Sequence, residues 1–232
     1  MAGGSLESTA VTRRYDVVTF DCYGTLIDWE DGIASAFVRE AAEDGVVLDR
    51  ARILAAYHEL EPEIEADRFL PYRDVLAATA MRVAQRLGWP LTGERARFLP
   101  ASLPAWKAFP DTNPSLERLV ASGHRLGILS NVDDDLLVET RRHFSVSFDV
   151  VVTAQQVRSY KPAHGHFLEA RRRIGHDRWL HAAQSFFHDV VPARELGVPV
   201  AWINRKAERA AAGVAPDVEL RNLAALADWM GA

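Results

Sequence analysis

Four short runs rich in β-branched residues, at 17 to 20, 126 to 129, 150 to 153 and 198 to 203, are separated by stretches with helical spacing. Each run is too short for a helix and is bounded by turn residues, so each is predicted to be a buried strand. Helices are predicted over 112 to 122, 133 to 144, 165 to 174 and 192 to 197, the first and last closing on Gly123 and Gly197. Strands that alternate with helices require right-handed crossovers, which make the sheet parallel. The fold class is therefore α/β. The interval from about 32 to 106 breaks the alternation, because it has amphipathic helical patterning and no convincing strand. Successive helices are expected over 33 to 44, 49 to 65, 69 to 87 and roughly 92 to 99, with breaks at Gly45, Leu70-Pro71 and Gly88-Trp89-Pro90. A helical unit thus interrupts the α/β unit after its first strand.

A chain of 232 residues, 48% hydrophobic, can bury the core this arrangement needs. Its 32 acidic and 27 basic side chains leave a net charge of -5 without a long single-sign block, which argues against a nucleic-acid or anionic-membrane partner and for a small molecule. A lone cysteine, Cys22, excludes an intramolecular disulfide and a thiolate metal cluster, and fits the cytoplasm. Residues 1 to 14 lack the apolar stretch of a signal peptide and read as a mobile lead-in. No apolar run approaches the ~18 residues of a membrane span.

Chemistry collects at the strand ends. Asp21 follows the first run and precedes Cys22-Tyr23-Gly24-Thr25; Ser130-Asn131 follows the second; Lys161-Pro162 and the stretch from 183 to 189 complete the set. Strand ends on one edge of a parallel sheet converge, so these distant residues can form one pocket. Together they supply a carboxylate nucleophile, hydroxyl and amide donors, an ammonium and a second carboxylate, which suits covalent catalysis on an anionic substrate.

The ordered motifs Phe20-Asp21-Cys22-Tyr23-Gly24-Thr25-Leu26, Leu129-Ser130-Asn131, Ser159-Tyr160-Lys161-Pro162 and His188-Asp189 resemble those of the haloacid dehalogenase superfamily. The resemblance implies a Rossmann-like three-layer core over 15 to 30 and 107 to 232, with a helical cap inserted over 31 to 106. It implies Asp21 as the nucleophile of an ester intermediate that water hydrolyses, with Lys161 steadying Asp21 and the substrate anion. Asp189 would orient Lys161 or activate the water. Thr25 and Ser130 would place hydroxyls near the substrate, and Asn131 would position the substrate or its own loop. A homodimer through apolar cap surfaces is one assembly the resemblance allows.

Phosphatases of this superfamily carry an acid two residues after the nucleophile, because an alkoxide needs a proton to leave. Here that residue is Tyr23, a phenol with an unperturbed pKa near ~10. Their fourth motif carries a Gly-Asp pair and a further Asp whose acids bind magnesium, where this chain has Ala183-Gln184 in place of the pair and keeps only Asp189. No cofactor is therefore expected. Were the chain a magnesium phosphatase, the ion would fall to Asp21, the Tyr23 backbone and Asp189. The Asp-x-Tyr-Gly-Thr form is similar to that of the 2-haloacid dehalogenases, whose halide departs unprotonated.

The substrate arginine of the dehalogenase cap aligns near Glu63, with Arg68 and Arg73 as neighbours; Phe186 and Phe167 stand where those enzymes have Asn and Tyr. The motifs from Asp21 to Glu30, Phe109-Pro110-Asp111-Thr112 and Ser185-Phe186-Phe187-His188-Asp189 also resemble the azetidine-2-carboxylate hydrolases, which open a strained ring. Substrate contacts are expected from Tyr23, Trp29, Arg68, Tyr160, Phe186 and His188, with Tyr23 and Trp29 as an apolar lid. The non-enzyme alternative is a binding module on a retained fold, and Asp21, Ser130, Lys161 and Asp189 together stand against it.

Overall fold

A computed structural model describes residues 13–232. Of the lead expected over 1 to 14, only Arg13 and Arg14 lie within these. Both are anchored: Arg13 donates to the Ser122 carbonyl, and the Arg14 guanidinium lies over the Tyr15 and Trp229 rings.

Strand β1 (Val17–Phe20) is followed by helices α1 (Trp29–Ala42), α2 (Arg50–Asp67), α3 (Tyr72–Leu87) and α4 (Phe98–Ser102). The chain then alternates through α5 (Thr112–Ala121), β2 (Arg125–Ser130), α6 (Asp134–Thr140), β3 (Val150–Thr153), α7 (Ala154–Val157) and α8 (Gly165–Ile174). It ends in β4 (Trp179–Ala183), α9 (Val191–Glu195), β5 (Val200–Ile203), β6 (Val218–Leu220) and α10 (Leu223–Met230). The six strands form one parallel sheet in the order β3-β2-β1-β4-β5-β6. β1 lies between β2 and β4, and all four of its residues are fully buried, as a strand covered on both faces requires. Its C-terminal end aims Asp21 into the groove between β2 and β4, where the strand order turns outward in both directions.

Two strands escape the sequence reading. β4 is Trp-Leu-His-Ala-Ala, without a β-branched residue, and it becomes a strand through burial between β1 and β5. β6 is a three-residue edge. α10 was also unpredicted; it packs on α5 and is capped by Asn222 at one end and by Gly231 at the other.

Helices α1 to α4 pack on one another, with α2 against α3 and α1, and α4 against α1 and α3. Their attachment is specific. Pro71 opens α3 with no capping side chain of its own, and Asp133, at the end of β2, supplies the cap instead: its carboxylate accepts from the backbone N–H groups of Tyr72 (2.8 Å) and Arg73 (3.0 Å). Arg73 closes the clasp by donating from Nε to Asp133 (3.1 Å) and pairing with Asp135. Tyr160 donates from its hydroxyl to the Leu70 carbonyl (2.7 Å), holding the entrance to α3 from the core side.

Candidate active site

Lys161 is the hub. Its ammonium, 1% exposed, donates to Asp21 Oδ1 (2.9 Å), Asp189 Oδ1 (2.6 Å) and the Leu129 carbonyl (2.9 Å), so all three of its N–H groups are used. Burial on its own would lower the Lys161 pKa, but the charges of Asp189 and Asp21 outweigh it and raise the value. Asn131 holds this lysine by its backbone: the side-chain carbonyl accepts from the Lys161 N–H (2.7 Å) and the amide donates to the Lys161 carbonyl (3.1 Å). Asn131 thereby ties its own loop to the Lys161 segment, and it also lines the cavity.

Thr25 fixes the other oxygen of the nucleophile, donating to Asp21 Oδ2 (2.9 Å) and accepting from the Gln184 backbone N–H (2.9 Å). Burial lifts the Asp21 carboxyl above its ordinary range, with Asp189 adding to the rise and Lys161 and Thr25 opposing it. At Asp189 the balance reverses. Burial pushes its pKa up, but the Lys161 charge and the His181 hydrogen bond bring it down to about 2. The site thus holds one carboxylate that stays ionised and one desolvated carboxylate that is poised as a nucleophile.

Gly24 makes the turn possible at φ +99°, where a Cβ would stand 3.2 Å from both Gln184 Oε1 and Trp29 Nε1. Gly24→Ala is expected to destabilise the fold by about 1–3 kcal/mol, read from chemical denaturation.

These groups open into a cavity of about 360 Å³ lined from the core by Asp21, Tyr23, Ser130, Asn131, Lys161, Gln184 and Asp189. Trp29, Phe186 and His188 line it as expected. The Ser130 hydroxyl is fully buried and without a partner, which leaves it free to donate to a substrate anion. Tyr23 donates its hydroxyl hydrogen to Thr140 (2.8 Å), since Thr140 in turn donates to the Leu136 carbonyl. Desolvation raises the Tyr23 pKa well above 10, so this phenol is not a proton donor to a leaving group. His188 is tied to Ser185 (3.0 Å), and burial lowers its pKa.

Four residues that the sequence singled out around the substrate lie off the cavity wall. Arg68 is exposed and absent from the cavity wall, because α2 ends before it and the chain turns outward. Tyr160 is not in the wall either: it packs on Phe69 and Tyr72 as part of the cap attachment. Glu63 faces Arg82 on the outer side of α2 (3.2 Å), and Arg73 is committed to Asp133 and Asp135. Among the described residues, no arginine lines the cavity.

The cap contributes acids in their place. His58, Glu61, Pro62 and Glu65 present one face of α2 to the cavity, joined by Tyr72 from α3. Glu61 accepts from the hydroxyls of Tyr57 (2.7 Å) and Tyr72 (2.9 Å). Burial raises both glutamates' pKa values. The two phenols hold Glu61 toward its ionised form, while the Glu61 charge one turn away pushes Glu65 further up. Glu65 is thus the more strongly raised of the two.

A magnesium ion at Asp21 and Asp189 would have to share these carboxylates with a cation already in place. The Lys161 ammonium already bridges the two carboxylates, and among the described residues no three His, Cys, Asp or Glu side chains gather as a metal cluster.

Residues 15–183 match the model of the haloacid dehalogenase-like hydrolases. The chain belongs to this family and is a hydrolase. An (S)-2-haloacid dehalogenase of Pseudomonas putida is 28% identical over 92% of this chain and 95% of its own length. A second from that organism, H-109, is 32% identical over 52% of this chain and 56% of its own. The crystal structure of the L-2-haloacid dehalogenase RSc1362 superposes with a TM-score of 0.84 at 24% identity, covering 94% of this chain and 99% of that one. The haloacid dehalogenase fold is therefore this chain's fold, and no helix among the described residues is long and apolar enough to cross a membrane.

Proposed function

We propose that Asp21 displaces a leaving group from C2 of a small 2-substituted carboxylic acid, forming an ester that water opens without a metal ion. The observation that carries this reading is the residue two places after the nucleophile: Tyr23 spends its proton on Thr140, so this loop offers no acid to a departing alkoxide. Halide leaves without one. An Asp21 oxygen attacks C2 from the side opposite the leaving group, which departs with the bonding electrons. Water then adds to the Asp21 carboxyl carbon, and the ester C–O bond breaks to release a 2-hydroxy acid inverted at C2. Ser130 receives the substrate carboxylate, and Trp29, Phe186 and the cap face of α2 close over it.

The test is release of halide from (S)-2-chloropropionate and of phosphate from phosphate monoesters, each with and without EDTA. The reading expects halide release that is indifferent to the chelator; chelator-sensitive phosphate release overturns it. The acid limb of kcat/KM carries the signature of Asp21. Its raised pKa means the nucleophile loses its charge while pH is still above ~3.9, the ordinary aspartate value. Asp189, at about 2, stays ionised over the same range and adds nothing to the limb.

A second reading draws on the cap acids. Glu61 and Glu65 face the cavity where an anion-binding arginine would suit a haloacid. Glu61 can accept from the ring N–H of a substrate with nitrogen at C2, and Glu65 can give a proton to that nitrogen, bound as the free amine, as the C–N bond breaks. Ring opening of (S)-azetidine-2-carboxylate tests this, and Glu65→Gln is expected to cost it about 10²–10⁴-fold while leaving halide release nearly unchanged. Equal losses on both substrates would remove the proton-donor role.

A further inference from the structure

Asp189 is held from below by a chain of buried groups that no step above has used. Its Oδ1 accepts from Lys161 and also lies 3.0 Å from His181 Nε2 on β4. His181 Nδ1 lies 2.8 Å from Thr19 Oγ1 on β1, and the Trp179 indole N–H donates to the same Thr19 oxygen at 2.7 Å. Thr19, His181 and Asp189 are all 0% exposed. The ionised Asp189 carboxylate only accepts, so His181 Nε2 carries the hydrogen of that bond. In the neutral ring Nδ1 is then an acceptor, and Thr19, which already accepts from the Trp179 indole N–H, turns its own hydrogen to it. The other carboxylate oxygen, Oδ2, is buried and has no partner, and Asp189 lines the cavity.

We propose that His181 is a positioning residue for ester hydrolysis, locked by Thr19 and Trp179 so that Asp189 turns Oδ2 toward the water that attacks the Asp21 ester. This rests on the ester reaction argued above. Two donors from different elements converge on Oδ1, which fixes the plane of the carboxylate and leaves the lone pairs of Oδ2 uncommitted. In the step itself the water oxygen bonds to the Asp21 carboxyl carbon while its proton passes to Asp189 Oδ2. When the intermediate collapses, the bond from that carbon to the product oxygen breaks, and Asp189 returns the proton to the product's alkoxide. Ester formation needs Asp21 and Lys161 but no action of Asp189 on water, so the His181 chain bears on the second half of the reaction alone.

The experiment compares wild type with His181→Phe, His181→Gln and Thr19→Val, using (S)-2-chloropropionate and (S)-azetidine-2-carboxylate as probes. Rapid mixing reads the first-turnover burst, and intact-protein mass reads the ester. The burst amplitude counts folded protein with a working nucleophile, so poor folding of a variant is separated from slow hydrolysis. His181→Phe keeps the ring volume and removes the donor; its burst rate is expected within about 3-fold of wild type, its hydrolysis about 10–100-fold slower, and its ester visible at steady state. Glutamine can place an amide N–H near the position of Nε2, so His181→Gln is expected to recover part of the loss. Thr19→Val, which frees His181 to change tautomer, should slow hydrolysis less than His181→Phe and leave the burst unchanged. If both halves slow equally in His181→Phe, or if glutamine recovers nothing, the positioning role is wrong although the ester chemistry stands. A wild type that yields neither product nor an ester on either probe overturns the underlying reaction, and the proposal with it.

Discussion

Asp21→Asn is expected to lose turnover by a factor of about 10⁴ or more, because the amide has neither the charge nor the lone-pair reactivity to displace a group from C2. Its fold should survive, and its melting temperature should match or exceed that of wild type. The reason lies in the local charge count. Asp21, Asp189 and Lys161 bury two negative charges against one positive, and burial has already pushed the Asp21 carboxyl toward its neutral form. Asparagine removes the surplus charge, keeps one oxygen to accept from Lys161, and turns its amide N–H to the Thr25 hydroxyl oxygen. Activity and stability therefore move apart at this position, as they do where a strained site serves function. Parallel measurement of product release and thermal unfolding checks both halves, and a variant that unfolds far below wild type would contradict the charge argument.

Lys161→Met should be severe in both respects. Removing the ammonium leaves Asp21 and Asp189 facing each other without a counter-charge, for which about 3–5 kcal/mol of destabilisation is the usual scale. Turnover is lost as well, since the nucleophile takes up a proton and Asp189 loses one of its two orienting donors. The pH dependence of stability is expected to change below pH ~4. In wild type, Asp21 titrates above its unfolded value and its contribution grows as pH falls toward ~4, whereas Asp189 titrates below its unfolded value, so its contribution is present above pH ~4 and fades as pH falls toward its folded pKa of about 2. In the variant both carboxylates titrate above their unfolded values, so the loss between pH ~4 and ~2 disappears. Urea midpoints taken below pH ~4 distinguish the two. A variant whose midpoint falls there as wild type's does would show that Lys161 is not what holds the pair.

The legibility of this molecule follows what each residue's neighbours demand of it. β1 and β3 could be read because Val17-Val18 and Val150-Val151-Val152 announce buried strands by themselves. β4 could not, since Trp179-Leu180-His181-Ala182-Ala183 owes its strand form to β1 and β5 on either side. With β4 unseen, His181 had no visible relation to Asp189, although both stand in the segment that ends in the fourth motif. The motif residues Asp21, Thr25, Ser130, Asn131, Lys161 and Asp189 sit at strand ends and do meet.

The cap was harder because its face depends on helical phase. Alignment favoured Glu63, but the 3.6-residue repeat puts Glu59 and Glu63 outward against Arg86 and Arg82, and Glu61 and Glu65 inward. The signal was present in the i, i+4 spacing of Tyr57, Glu61 and Glu65, next to the buried Ile53, Leu60 and Ile64. Arg68 and Tyr160 misled because proximity to a motif in sequence says nothing about which way a side chain turns beyond a helix end.

The claim that organises all of this is covalent: Asp21, rather than water, makes the first bond to the substrate. A single turnover in H₂¹⁸O, with enzyme in excess over (S)-2-chloropropionate or (S)-azetidine-2-carboxylate, reads it directly. Water that attacks the Asp21 carboxyl carbon leaves its oxygen in the protein, so the peptide containing Asp21 should gain ¹⁸O and the first-turnover 2-hydroxy acid should carry none. Label found in that first product, with the Asp21 peptide unlabelled, would mean that water attacked C2 itself and that Asp21 is not the nucleophile.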